Sequence, residues 1–344
     1  MERRGQYTRE EIYSQPEVWS VALTVLDERS QEVLDYSTRY THQQIIFTGC
    51  GSTYYLSCAA AALFQELTGL SAQGIPASEL WLSHHYCYHT PETTTLIAIS
   101  RSGETSETLR ACELFQSKYK GKIITLVCDP SSSLAKMGML NLTFPFAMEK
   151  SVAQTRAFST LYLSVVGLSL IWSGRIDTLS AIRSLPDSGR KILSGYSSLA
   201  RERGGNLKID RIYYLGSGGR YGLACELNLK MKEMSLTHSE AFHFLEFRHG
   251  PKSMVNQNTL VVGLVSEANA KYEIAVLEDV RALGAEIIAM GEHNAEVSFN
   301  SGLEEVMRNI LYLPFGQMLA YERSMAKGFD PDRPEHLDQV VRLI

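Results

Sequence analysis

No stretch of about 18 uninterrupted apolar residues occurs in this 344-residue sequence, so no segment reads as a membrane-spanning helix. The start, Met1-Glu2-Arg3-Arg4-Gly5, runs into polar and acidic residues without the apolar core of a secretory leader. A basic surplus is also missing. The formal net charge is -5 and the pI is near 6.0, which leaves no excess cations to follow a nucleic-acid backbone. A small anion is still admissible, because a pocket needs only a few local donors. The six cysteines (Cys50, Cys58, Cys87, Cys112, Cys128 and Cys225) include no CxxC pair and read as reduced thiols of a cytoplasmic protein. The histidines of His84-His85-Tyr86-Cys87-Tyr88-His89 match no zinc or iron spacing. Neither a metal nor a cofactor is therefore expected, and with Trp81 this segment reads as core or interface.

What is present is enough apolar chain for two domains: 44% of residues are hydrophobic and 21% charged. The chain also repeats itself. Gln44-Ile45-Ile46-Phe47-Thr48-Gly49-Cys50-Gly51-Ser52-Thr53-Tyr54 recurs as Arg211-Ile212-Tyr213-Tyr214-Leu215-Gly216-Ser217-Gly218-Gly219-Arg220-Tyr221. The apolar run 94–100 pairs in the same way with 258–264, and 122–127 with 285–290, with helical stretches between them. Short Ile/Val/Leu runs separated by helices are the pattern of parallel strands covered on both faces. Each half is therefore expected to be a three-layer α/β/α sandwich around a mostly parallel sheet. The expected divisions are an N-terminal helical arm (1–30), a first domain (31–174), a helical connector (175–205) and a second domain with a C-terminal tail (206–344). In the arm, Thr8-Arg9-Glu10-Glu11 has capping-box spacing, and an interruption is expected at Gln15-Pro16.

Ligands of such sheets sit beyond the carboxyl ends of the strands. Ser100-Arg101-Ser102-Gly103-Glu104-Thr105-Ser106-Glu107-Thr108 lies there, between an apolar run and a helix. A glycine for close approach, helix-start N–H groups and clustered hydroxyls suit a phosphate monoester. The same residues also suit a hydroxyl-rich helix start without a ligand. The two Gly-rich turns begin like a dinucleotide fingerprint, but Tyr54 and Tyr221 stand at the third glycine, which favours a smaller ligand. The second copy carries Val265-Ser266-Glu267-Ala268-Asn269-Ala270 in place of the hydroxyl cluster, and loss of phosphate binding is expected there.

Glu226, Lys230 and Glu233 fall on one helix face, either as a surface salt-bridge ladder or, since the helix leaves the ligand end of a strand, as a carrier of a proton-shuttling carboxylate. Downstream, Arg248-His249-Gly250-Pro251 breaks regular structure and would present His249 on a rigid turn beside Glu246.

In this order, Ser100-Arg101-Ser102-Gly103-Glu104-Thr105, Val152-Ala153-Gln154-Thr155, Leu229-Lys230-Met231-Lys232-Glu233 and Glu246-Phe247-Arg248-His249-Gly250-Pro251 resemble the sugar isomerase (SIS) family over essentially the whole chain. The likeness is to its two-domain members: the isomerase half of glucosamine-6-phosphate synthase, and the tagatose-6-phosphate ketose/aldose isomerase type that includes amino-sugar-phosphate deaminases. It implies two tandem SIS domains and a small sugar phosphate as ligand. Thr53, Ser100, Ser102 and Thr105 would hold the phosphate, with Arg101 adding its backbone and charge beside Gly103. Ser52 and Val152 would line the sugar. Glu233 would move a proton between C1 and C2, and His249 would assist ring opening from the neighbouring subunit of a homodimer. The implied reaction is aldose–ketose isomerisation or deamination of a hexose or amino-hexose 6-phosphate. A fructosamine-type 6-phosphate deglycase and a non-catalytic sensor are the alternatives.

Two features depart from the synthase. Glu2 follows Met1 where the synthase has a nucleophilic cysteine and its glutaminase, so glutamine-dependent amino transfer is not expected. Gln339 in Asp332-Arg333-Pro334-Glu335-His336-Leu337-Asp338-Gln339 replaces the lysine that engages the open-chain sugar, which excludes a Schiff base through this tail.

Overall fold

A computed structural model gives the structure of the protein and describes residues 3–343. The first two residues of the expected arm and the last of the tail lie outside the described residues. The chain opens with helices α1 (Gln6–Tyr13), α2 (Gln15–Glu28) and α3 (Ser30–Arg39). It continues through β1 (Gln44–Gly49), α4 (Ser52–Thr68), β2 (Ala72–Pro76), α5 (Ala77–Leu82), β3 (Thr94–Ser100), α6 (Ser106–Tyr119), β4 (Lys122–Val127), β5 (Leu140–Thr143) and α7 (Arg156–Trp172). Helices α8 (Leu179–Ile182), α9 (Leu185–Gly195) and α10 (Ser197–Gly205) follow. The second series is β6 (Arg211–Leu215), α11 (Gly219–Ser235), β7 (His238–Phe242), β8 (Thr259–Leu264), α12 (Ala270–Ala282), β9 (Glu286–Gly291), β10 (Val297–Ser298), α13 (Glu305–Arg308) and α14 (Tyr312–Lys327).

Both sheets have five strands, all parallel, in the orders β2-β1-β3-β4-β5 and β7-β6-β8-β9-β10. The repeat seen in the sequence is thus a repeat of topology. Strands β1, β3 and β8 are buried at every position, which is why they read as unbroken apolar runs rather than alternating ones. Helix α7 is buried at 15 of its 17 positions and packs against α4. Its apolar character all the way round follows from that burial.

Two compact units interleave along the sequence. The first-sheet unit takes residues 17–149 and 156–183 and the chain from Asp338; the second-sheet unit takes the chain up to Pro16, 150–155 and 184–337.

The arm differs from its expected capping. Gly5, at φ +69°, precedes α1, so Thr8 and Glu11 fall inside the helix rather than at its start. The backbone N–H groups of Tyr7 and Thr8 instead donate to the Asp332 carboxylate at 3.1 and 2.7 Å, and a distant residue supplies the cap. The interruption is a single residue, Ser14, and Pro16 follows in the first turn of α2, where its missing N–H costs nothing.

Candidate active-site residues

In the first-sheet unit, β3 delivers its carboxyl end into the loop 101–105, and α6 begins directly after Thr105. Ser100 Oγ accepts the Gly103 N–H at 3.0 Å, and Ser102 Oγ accepts the Glu104 N–H at 3.2 Å. Gly103 has φ +67°, and a Cβ there would fall 2.1 Å from Ser132 Oγ, so no other residue fits without movement. Glu104 is turned away from the loop mouth: its carboxylate accepts the Ser133 N–H at 2.6 Å and the Ser133 hydroxyl at 3.0 Å. The result is a tight loop whose hydroxyls accept the N–H groups of Gly103 and Glu104, while the Ser106 N–H at the start of α6 donates to the Val341 carbonyl at 3.4 Å.

The neighbouring turn after β1 is built alike. Gly51 adopts φ +54°, and Thr53 Oγ1 exchanges hydrogen bonds with the backbone of Cys50, both at 2.9 Å. Ser52 and Thr53 are buried in the first turn of α4. The Cys50 thiol lies against Thr108, and burial pushes its pKa up to about 11, which makes it a poor nucleophile.

Arg101 is buried, and its guanidinium meets the fully buried Glu149 carboxylate, Nη1 to Oε2, at 3.3 Å. Its Nη2 reaches the Gln339 carbonyl at 3.5 Å, while the Gln339 side chain donates to the Glu149 carbonyl at 3.1 Å. The charge of Arg101 is therefore matched within the fold. Glu149 carries no motif of its own, and only its position near the Val152 segment could have drawn attention to it.

In the second-sheet unit, Lys230 is wholly buried on α11. Its ammonium pairs with Glu233 on one side and with Glu226 Oε1, 3.4 Å away, on the other. The surface-ladder reading is thereby replaced, because Glu226 and Lys230 are both fully buried. Glu233 lines a cavity of about 170 Å³ with Leu236, Phe329, Asp330, Arg333 and Glu335. His249 is not among its lining residues. It is exposed after the single turn Glu246–Arg248, and Gly250 at φ +128° and Pro251 follow it. Arg248 Nε pairs with Asp279 at 2.8 Å and anchors that turn.

Val152 belongs to the same unit. Its N–H donates to the Asp332 carbonyl at 3.1 Å, and the two residues before it are held by the buried Glu11 carboxylate, which accepts the Lys150 and Ser151 N–H groups at 2.6 and 3.3 Å. Sequence spacing made Glu11 part of a helix cap, so its hold on the Val152 segment was missed.

The histidine cluster is a local packing feature. Tyr88 stacks on Phe115 with ring centroids 4.7 Å apart, and His84 Nδ1 lies 2.7 Å from Tyr119 Oη. Among the described residues no group of three or more His, Cys, Asp or Glu is arranged to hold a metal, and no helix is long and apolar enough to cross a membrane.

The SIS domain model matches residues 40–171 and 207–297. Glutamine–fructose-6-phosphate aminotransferase (isomerizing) of Helicobacter pylori is 29% identical across 98% of this chain, which spans 59% of that relative's length. The crystal structure of glucosamine-6-phosphate deaminase from Thermotoga maritima superposes with a TM-score of 0.83 at 26% identity, covering 98% of this chain and 100% of that one. Tagatose-6-phosphate ketose/aldose isomerase from Escherichia coli gives a TM-score of 0.85 at 25% identity, covering 97% of this chain and 96% of that one.

Proposed function

Because this chain belongs to the SIS domain family, we propose that it is an enzyme that binds a hexose or amino-hexose 6-phosphate and moves a proton between its C1 and C2. The outcome is aldose–ketose isomerisation, deamination, or both. The observation that carries this reading is Glu233, a carboxylate facing a cavity and fixed by a buried lysine. The relatives support it, since their names carry fructose, glucosamine or tagatose 6-phosphates.

In this reading Ser100, Ser102, Thr105 and Thr53 hold the phosphate, with the backbone at Gly103 in closest approach. The guanidinium of Arg101 shapes the loop through Glu149 rather than neutralising the ligand. Ser52 and Val152 line the sugar. His249, supplied by the second copy of a homodimer, assists ring opening. Glu233 removes the C2 proton of the open-chain aldehyde, giving an enediol, and returns it to C1, which leaves a ketone at C2. If C2 bears an amino group, the same steps pass through an enolamine to an imine at C2; water adds there and ammonia leaves.

The test is a panel of hexose, hexosamine and fructosamine-type 6-phosphates followed by NMR for isomer formation and amine release. Turnover of a hexose or hexosamine 6-phosphate that is lost in Glu233→Gln and His249→Ala, with binding retained, is the expected result. Release confined to the fructosamine type would make the protein a deglycase. Binding without turnover across the panel would make it a sensor, and activity surviving in Glu233→Gln would remove the catalytic assignment.

A further inference from the structure

The second copy of the Gly-rich turn keeps the shape of the first. Gly218 has φ +58° where Gly51 has +54°, and Arg220, in the first turn of α11, stands where Thr53 stands in α4. The loop between β8 and α12, 265–269, corresponds to the hydroxyl loop of the first copy but has no hydroxyl cluster. Its donors are nevertheless occupied by an anion that the chain itself provides. The N–H groups of Glu267 and Ala268 both point to Glu305 Oε2, at 2.9 and 3.4 Å. The other Glu305 oxygen pairs with Arg220 Nη1. Arg220 is buried, 7% exposed at its side chain, and its Nε has no hydrogen-bond partner. A guanidinium and two loop N–H groups ahead of a 13-residue helix thus converge on one carboxylate brought from α13.

We propose that the second copy is an anion-binding site in its own right, closed by the Glu305 carboxylate, and that its chemistry selects a small monoanion such as a singly charged phosphate. The surrounding charges set that limit. Arg308 matches Glu267 at 2.5 Å and Glu292 at 3.1 Å, while Arg220 also pairs with Glu273 at 3.2 Å. Glu273 in turn accepts the Ser266 N–H at 2.6 Å, so it is fixed in place. One negative charge can replace Glu305 like for like, whereas a dianion would add a charge that neither Arg220 nor Arg308, each already facing two carboxylates, is left to match. The chain therefore has two loops at corresponding places: the first is tied by its own hydroxyls and the second by a carboxylate brought from α13. This inference rests on the geometry of the second copy and stands whether or not the proposed reaction is correct.

The experiment uses the full chain and inorganic phosphate at about pH 5.5, where the monoanion predominates, since the second pKa of inorganic phosphate lies above the value of about 6 of a phosphate monoester. Titration calorimetry of Glu305→Ala is expected to show one more bound phosphate per chain than the wild type, and Arg220→Met/Glu305→Ala is expected to lose it. Hydrogen exchange provides a local readout. The Glu267 and Ala268 amides, slow in the wild type, should become fast in Glu305→Ala and slow again with phosphate. Equal stoichiometry in wild type and a folded Glu305→Ala would overturn the proposal. If removing Glu305 weakens the fold, the urea midpoint decides instead: a larger rise with phosphate in the variant than in the wild type supports the site, and an equal or smaller one rejects it.

Discussion

Arg101 and Glu149 form an ion pair, 3.3 Å from Nη1 to Oε2, with side chains 4% and 0% exposed. The pair ties the loop after β3 to the segment that follows β5. Breaking one side of a buried pair costs about 3–5 kcal/mol, because the other charge is left without a partner in a poorly solvating medium. Glu149→Gln should lower unfolding stability by that order in urea titrations, and Arg101→Met/Glu149→Leu should recover most of it. A loss under about 1 kcal/mol in the single variant would mean that water reaches Arg101 and that the pair does not fix the loop.

Gly103 is the second point of sensitivity. Alanine there must adopt a left-handed conformation, at about 1–2 kcal/mol, and its Cβ would meet Ser132. The loop must shift to relieve the clash, and its donors shift with it. In Gly103→Ala the rise in melting temperature caused by sugar phosphates should vanish while the far-ultraviolet spectrum is retained. An unchanged ligand-induced rise would show that the loop does not hold the phosphate.

Alkaline pH should weaken the fold through its thiols. Burial, reinforced by the charges of Glu113 and Glu149 respectively, pushes Cys112 and Cys128 well above the usual thiol range. Unfolded thiols lose their protons near pH 8.5, whereas the folded ones keep theirs, so the unfolded chain binds fewer protons between these points. Stability is then fully present below about pH 8.5 and falls as pH rises, by up to about 1.4 kcal/mol per pH unit for each thiol. Urea midpoints measured from about pH 8 to about pH 10 should decline, and Cys112→Ala/Cys128→Ala should decline less. A flat profile in the wild type would refute this account.

The central strands were legible in the sequence because burial on both faces leaves an uninterrupted apolar run, as in β1, β3 and β8. The edge strands were not. β2 is only partly buried along its length, and β10 has two residues, so neither leaves a periodic signature. At the site, the hydroxyl loop was visible because its residues are consecutive. The neutralising partner of Arg101, the grip of Glu11 on the Val152 segment and the closure of the second loop by Glu305 were invisible, since each joins residues distant in sequence. Lys230 shows a different limit. Spacing places Glu226, Lys230 and Glu233 on one face, but whether that face meets water or protein is decided by the tertiary fold, and no local pattern reports it.

The cap of α1 has a consequence for the order in which the molecule is made. Thr8 and Asp332, whose backbone N–H and carboxylate meet at 2.7 Å, lie 324 positions apart. Ribosomes add about 5–20 residues per second, so the first helix waits roughly 16–65 s before the residue that closes it emerges. During that interval Lys150 and Ser151, whose N–H groups Glu11 accepts, are already made, but Asp332 is not. Helix α1 is therefore made well before the carboxylate that caps it, and the cap closes only after the 324 positions between them have been added.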